Sequence, residues 1–335
     1  MADSKIWGLL VHLGTWHYFQ TGKIDGILHF DDEMWDYVLE EAPKKGINTI
    51  LLDICAGIEF ASHPEITLQN AWTRNRLRKE LKRCKEKGLT VIPKLNFSAA
   101  HHLWLGMYTR MVSTPIYYQV CNDLIKEAYE LFEHPEYIHI GMDEEDAKHT
   151  KDLEYAFYRQ GDLFWHDLRF LVDCVKDTSA KPWMWADPLF DHPQEYKKHF
   201  EPDEVLLSPW YYQTFRKESW LRVDSNQAIV DYYKQDEFKG LNIEYIEEDP
   251  FCVNFRNVAL PLLKEGYKYV PTASYSGNRE RNADELFEYF KEGAPDELIA
   301  GYLTTVWNLT LNDKKPRFDA ALQRFHDAKE KHYGK

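Results

Sequence analysis

Eight short apolar runs, each of strand length, recur along this chain with longer segments of helical period between them. That alternation restricts the fold more than any other feature. The runs are WGLLVHLG (7–14), NTILLDIC (48–55), LTVIPKLNF (89–97) and YIHIGMD (137–143), then PWMWADPL (182–189), VLLSPWYY (205–212), KYVPTASY (268–275) and IAGYLTTVW (299–307). Between them, AWTRNRLRKELKRCKEKG (71–88) and TPIYYQVCNDLIKEAYELF (114–132) place apolar residues at i, i+3 and i+4, the spacing of one helix face. Thr114 is a predicted N-cap with Pro115 at the first helical position, and a last helix is predicted near 316–333. Strands separated by helices, with no Gly/Ser/Pro linker, predict a parallel β/α architecture. Eight such units close naturally into a single (β/α)8 TIM barrel spanning 1–335, an α/β fold. Its insertions fall at 15–31, 98–113 and 213–255, and an open doubly wound sheet is the alternative. No internal repeat or low-complexity segment interrupts the pattern.

In a barrel of this kind the reactive groups gather at the C-terminal ends of the strands. Read in order, those ends supply His12, Trp16 and His17, then Asp53, then Asn96, His101 and His102. Asp143 and Glu144 follow, then Trp185 and Asp187, Trp210 and Tyr211, Tyr275, and Trp307. One rim thus collects acids, histidines and four tryptophans, the dressing of a sugar site, where flat rings stack on pyranose faces and carboxylates do the chemistry.

Composition narrows the classes further. A net charge of −14 argues against a nucleic-acid partner, which would need a basic face. The five cysteines form no CxxC pair and read as reduced, mostly buried thiols. The start, MADSKIWGLL, has no basic region followed by a long apolar one, so no signal peptide is expected and the placement expected is cytoplasmic. No apolar run reaches the ~20 residues of a membrane span, so no membrane partner is expected. Nothing in the sequence speaks to oligomeric state.

The strand ends also resemble glycoside hydrolase family 20, the β-N-acetylhexosaminidases, over roughly residues 6–312. YIHIGMDE is similar to that family's strand-4 signature, an apolar run, Gly, one residue and then Asp-Glu. VIPKLNFSAAH (91–101) resembles the strand-3 segment ending in a substrate-contacting His, with one residue inserted, which points to His101 with His102 beside it. LLDICAGIEFASHPEI (51–66) resembles the strand-2 loop that carries an Asp, matching Asp53. KPWMWAD and GYLTTVWN match Trp185 and Trp307 to the strand-5 and strand-8 tryptophans.

The resemblance implies retaining hydrolysis of a β-linked 2-acetamido sugar, an N-acetylhexosamine, by a substrate-assisted route in which the acetamido oxygen is the nucleophile. Asp143 would orient the acetamido group and Glu144 would serve as general acid and base. The charge of Asp143 is expected to favour a protonated Glu144. Trp185, Trp210 and Trp307 would wall the acetamido methyl, and a tyrosine would bond its carbonyl. Strand order points to Tyr275, local wording to Tyr211.

Departures from the family concern the opposite half of the pocket. Thr15 or Trp16 stands where the family has a hydroxyl-binding Arg, Leu309 where it has a Glu, and Gly277 with Asn278 where an acceptor follows the tyrosine. The sequence therefore predicts a sugar modified or extended on that face, with Trp16 as a stacking platform. Two other classes fit part of the pattern: a non-catalytic glycan-binding barrel, and a metal-dependent barrel hydrolase using His12, Asp53, His101 and Asp143. No HxH or HExxH spacing supports a metal, so neither metal nor cofactor is expected. Glu145 and Asp146 read as caps of a following helix, His63 and His149 as solvated surface, and 79–88 as a solvated helix face.

Overall fold

The structure, a computed structural model, describes residues 5–14, 25–151, 153, 155–212, 221–224, 243–246, 259–275 and 280–334. Within these lie ten strands: β1 (Ile6–His12), β2 (Thr49–Asp53), β3 (Thr90–Lys94), β4 (Tyr137–His139), β5 (Lys181–Trp185), β6 (Leu206–Ser208), β7 (Leu221–Asp224), β8 (Ile243–Ile246), β9 (Thr272–Ser274) and β10 (Gly301–Thr305). Eight form one parallel sheet in the order β6-β5-β4-β3-β2-β1-β10-β9. Parallel bridges Leu207–Tyr269 and Trp210–Thr272 join β6 to the segment entering β9 and close the ring. All eight predicted strands are present and the fold is the (β/α)8 barrel. β7 and β8, inside the predicted 213–255 insertion, pair with each other in a separate two-stranded parallel sheet.

The predicted helices form where their caps allow. The helix Arg74–Glu86 starts at Thr73, whose side chain accepts from the Arg76 amide at 3.1 Å. Pro115–Leu131 starts at Thr114, which accepts from Tyr117, with Pro115 in the first turn. Such a cap satisfies a donor that the first turn otherwise leaves open. The last helix runs Lys315–Tyr333. No helix among the described residues is long and apolar enough to cross a membrane.

Two apolar layers result from strand alternation. Leu9, Val11, Ile50 and Leu52 face outward onto the helices, where Trp35, Leu124, Leu168 and Phe287 meet them in one buried cluster. Leu10, Leu51, Ile92, Trp183, Trp185, Leu206, Val270 and Leu303 fill the barrel interior. Cys55, Cys84, Cys121 and Cys174 are buried free thiols, and Cys252 lies outside the described residues.

Candidate active site

Toward the C-terminal mouth the barrel interior turns polar. The register aligns His12 with Asp53, Asp53 with Lys94, and Lys94 with His139 on neighbouring strands. Lys94 Nζ donates to Asp53 Oδ2 at 2.9 Å, His12 Nδ1 lies 3.0 Å from the same oxygen, and Cys55 Sγ donates to Oδ1 at 2.9 Å. All four groups are buried. Burial alone would keep Asp53 neutral, yet the Lys94 ammonium and His12 outweigh it and hold the carboxyl far below the usual range. Burial likewise opposes the Lys94 charge, but Asp53, Cys55 and Asp143 raise its pKa. Asp53 thus sits at the predicted strand end with both oxygens engaged. Lys94, which sequence reading passed over, is its main counter-charge. A lysine closing an apolar strand was the available signal, since such a side chain needs a buried acid.

The four acids divide between a shared histidine, a buried arginine and a helix cap. After β4 the backbone takes left-handed angles at Gly141, Met142 and Glu144, with φ of 77°, 71° and 56°. Gly141 is obligatory on two counts: its φ, and a Cβ there would lie 2.0 Å from Asn96 Oδ1. This turn sends Asp143, Glu144 and Glu145 to different surroundings. Asp143 accepts from Asn96 Nδ2 at 2.8 Å, and Ser98 Oγ donates to its carbonyl at 2.5 Å. His101 Nε2 stands between the first two acids, 3.3 Å from Asp143 Oδ2 and 3.1 Å from Glu144 Oε2. Glu145, expected to cap the following helix, instead has its side chain buried against Arg159, which donates to it at 2.6 and 2.9 Å, and it accepts from the Ala99 amide at 2.6 Å. Asp146 caps the short helix Ala147–Thr150 by accepting from His149 N, as expected of a capping acid.

The electrostatics centre on His101. Burial disfavours its charged form, but Asp143 and Glu144 overcome burial and raise its pKa to about 10. Burial would raise Asp143, but the imidazolium, with Lys94 and the Asn96 amide, holds it well below the ordinary carboxylate range. His102, its neighbour in sequence, is instead buried, and burial, the Arg159 charge and His101 lower its pKa to about 3. His149, read as surface, reaches the site: its Nε2 is 3.5 Å from Glu144 Oε1. Asp187, after β5, accepts from the Glu144 amide at 3.0 Å and from the Trp210 indole at 2.9 Å. Burial, then the charges of Asp143 and Asp191, push Asp187 well above the usual range.

Aromatic rings cluster at the same end of the barrel, joined to Asp187 through Trp210. Trp185 and Trp307 lie 5.8 Å apart between centroids, Trp307 is 5.6 Å from His12, and Trp210 stacks on Tyr212 at 5.1 Å. Tyr212 also meets Trp307 at 6.2 Å. Burial first, then the charges of Asp143, Asp187 and Glu144, raise the pKa of the Tyr212 hydroxyl. Neither predicted tyrosine joins them. Tyr211 is buried in the outer layer, where its carbonyl accepts from Asn282. Tyr275 packs against that same layer, with the Arg324 guanidinium 4.2 Å from its ring centre. The signal for Tyr212 was present: two residues after Trp210 on an extended segment, it shares that ring's face, whereas Tyr211 points the other way. Leu309 is buried behind Trp307 in sequence, and Thr15, Trp16, His17, Gly277 and Asn278 lie outside the described residues.

Two further features adjoin the site. His101, Asp143 and Glu144 offer three ligand atoms within 4.8 Å of one another, the arrangement in the described residues that could hold a metal ion. Behind the acid turn, a cleft of about 340 Å³ lies between Met142, Glu145, Arg159, Phe164, Trp165 and Asp187.

No family model and no curated protein sequence matches the chain. Solved structures do resemble it in fold. A family 20 exo-β-N-acetylglucosaminidase from Vibrio harveyi, solved with N-acetylglucosamine, superposes with a TM-score of 0.58 at 12% identity, covering 98% of this chain and 57% of that one. A β-N-acetylhexosaminidase from Bacteroides fragilis gives 0.59 at 12% identity, covering 96% of this chain and 66% of that one. Dispersin B gives 0.55 at 13% identity, covering 97% and 98%. The chain thus spans 57% and 66% of the length of the first two, and nearly all of the third. What this likeness establishes is a shared barrel.

Proposed function

We propose that the protein is a glycoside hydrolase that cleaves a β-linked 2-acetamido sugar with retention, the substrate's acetamido oxygen acting as nucleophile. One observation carries this reading: Asp143 and Glu144, consecutive after β4, are bridged by His101, and Asp187 links the Glu144 amide to a ring cluster of Trp210, Tyr212, Trp307 and Trp185. Asp143, ionised and fixed by Asn96, would accept the acetamido N–H and stabilise positive charge on that nitrogen as the oxazolinium forms. Glu144, whose side chain is 29% exposed, can reach both a leaving group and water, as an acid that later acts as base must. The charged His101 balances Asp143, so one carboxylate stays ionised beside a second that cycles its proton. Tyr212, with the tryptophans, would enclose the acetamido group. Solved barrels of the same fold include proteins described as β-N-acetylglucosaminidases, which supports this substrate class.

The test compares aryl 2-acetamido-2-deoxy-β-glycosides in the gluco and galacto series with the corresponding aryl β-glucoside. Turnover confined to acetamido substrates and unaffected by chelator is the expected result. Equal turnover of the 2-hydroxy sugar would sink the substrate-assisted route. Loss of activity to chelator would instead favour a metal at His101, Asp143 and Glu144.

A further inference from the structure

We propose that Asp187 is the positioning residue of the acid pair, tying the Glu144 backbone and the Trp210 ring into one unit. The proposal rests on the hydrolase reading above and names what sets the angle of its general acid. Glu144 adopts a left-handed backbone (φ 56°), a conformation that residues with side chains keep only when surroundings over-determine it. Asp146 N–H donates to the Glu144 carbonyl at 2.8 Å and Ser98 to the preceding one, and the side-chain carboxylate that holds the Glu144 amide is Asp187, Glu144 N–H to Oδ1 at 3.0 Å. The other oxygen of the same carboxyl takes the Trp210 indole N–H at 2.9 Å. A shift of either partner is therefore felt by the other.

The residue type is as informative as the geometry. Both contacts are N–H donors, and each carboxyl oxygen keeps a lone pair for a donor in either protonation state. An amide of the same shape has only one acceptor, and its NH2 would meet a second N–H head on. Asp187 is 5% exposed, and a glutamate, one methylene longer, would carry both oxygens past these two donors. Burying a carboxyl beside Asp143 and Asp191 is costly, and structural convenience would not select it. Its two hydrogen bonds are to the Glu144 amide and to the Trp210 indole.

A misplaced general acid slows departure of a poor leaving group far more than of a good one, because only the former needs its proton. Asp187→Asn is therefore assayed on an activated aryl 2-acetamido glycoside and on an unactivated alkyl one. The expected outcome is a fall in kcat of about 10–100-fold on the alkyl substrate and under about 3-fold on the aryl one. Trp210→Phe removes the second donor, so the double variant Asp187→Asn with Trp210→Phe lets the amide oxygen face Glu144 without conflict. Its alkyl activity should return to that of Trp210→Phe alone. An equal loss on both substrates, or a double variant as slow as the product of the singles, overturns the proposal. Hydrogen–deuterium exchange of the segment carrying Glu144 gives a reading independent of turnover. Faster exchange in Asp187→Ala supports the tie, and unchanged exchange overturns it. If wild type turns over no acetamido glycoside, the hydrolase reading falls, while the exchange result still decides whether Asp187 holds the turn.

Discussion

His101 Nε2 lies 3.1 Å from Glu144 Oε2, and the same nitrogen is within 3.3 Å of Asp143 Oδ2. Two acids adjacent in sequence thus share one cation, which relieves the repulsion that a run of four acids would otherwise carry.

Removing that cation should show in the pH profile. With His101→Asn, Asp143 loses its main counter-charge and its pKa rises, so the acid limb of kcat/KM moves to higher pH. Activity at neutral pH should fall by about 10–100-fold, the worth of a charge-assisted bond of about 1.5–3 kcal/mol. The stability sign follows from the same shift. His101 rises from 6.5 to about 10 on folding, so its ion pairs stabilise the fold fully below pH 6.5 and fade as pH climbs through 10. Urea unfolding of wild type and variant at pH 6 and 10 should converge at the higher value. A pH–rate profile in the variant that overlays wild type would contradict this.

The three tyrosines separate cleanly. Tyr212→Phe should cost about 10–100-fold in kcat/KM, the loss of one strong hydrogen bond to substrate. Tyr211→Phe and Tyr275→Phe, which face the helix layer, should stay within a factor of about three. Kinetics of the three variants on one acetamido glycoside check it, and equal losses would place the site elsewhere.

Much of the barrel was legible because each strand is an apolar run with a helix of the right period behind it, as Thr73 and Thr114 illustrate at their caps. The strand-4 acids were legible too, since position in a barrel fixes where a strand end lies. What the sequence hid is direction. Tyr211 and Tyr212 differ only in which face of an extended segment they occupy, and Trp210 was the neighbour that told them apart. His149 reaches Glu144 only because Asp146 caps a four-residue helix that turns it back. Lys94 and Asp53 belong to different strands, and only register brings them together.

Lys94 carries its own prediction. Lys94→Met leaves the Asp53 carboxylate buried with His12 and the Cys55 thiol but without its ammonium, at a cost of about 3–5 kcal/mol near neutral pH. Because Asp53 is held far below its ordinary pKa by Lys94, the loss should shrink as pH falls and the freed carboxyl protonates. Urea titrations at pH 4.5 and 8 test the sign, and a larger loss at the acidic value would refute it.

Gly141 is the hinge of the acid turn. Gly141→Ala forces a Cβ against Asn96 at a positive φ, so it should destabilise the fold by about 2–4 kcal/mol. Activity should fall further than stability accounts for, since Asn96 holds Asp143. Denaturant midpoints and kcat at a temperature where the variant stays folded distinguish the two losses. A variant as stable as wild type would show that the turn relaxes.

The central claim is that the acetamido oxygen attacks while Asp143 steadies it and Glu144 moves the proton. The most direct measurement is a series of aryl glycosides with acetyl, fluoroacetyl, difluoroacetyl and trifluoroacetyl groups on the 2-amine, with NMR of the first-formed sugar. The expected result is a monotonic fall in kcat/KM of at least about tenfold, roughly 1.4 kcal/mol of barrier, across the series. The first-formed sugar should be the β anomer. A rate indifferent to fluorination, or an α anomer released first, would contradict the account.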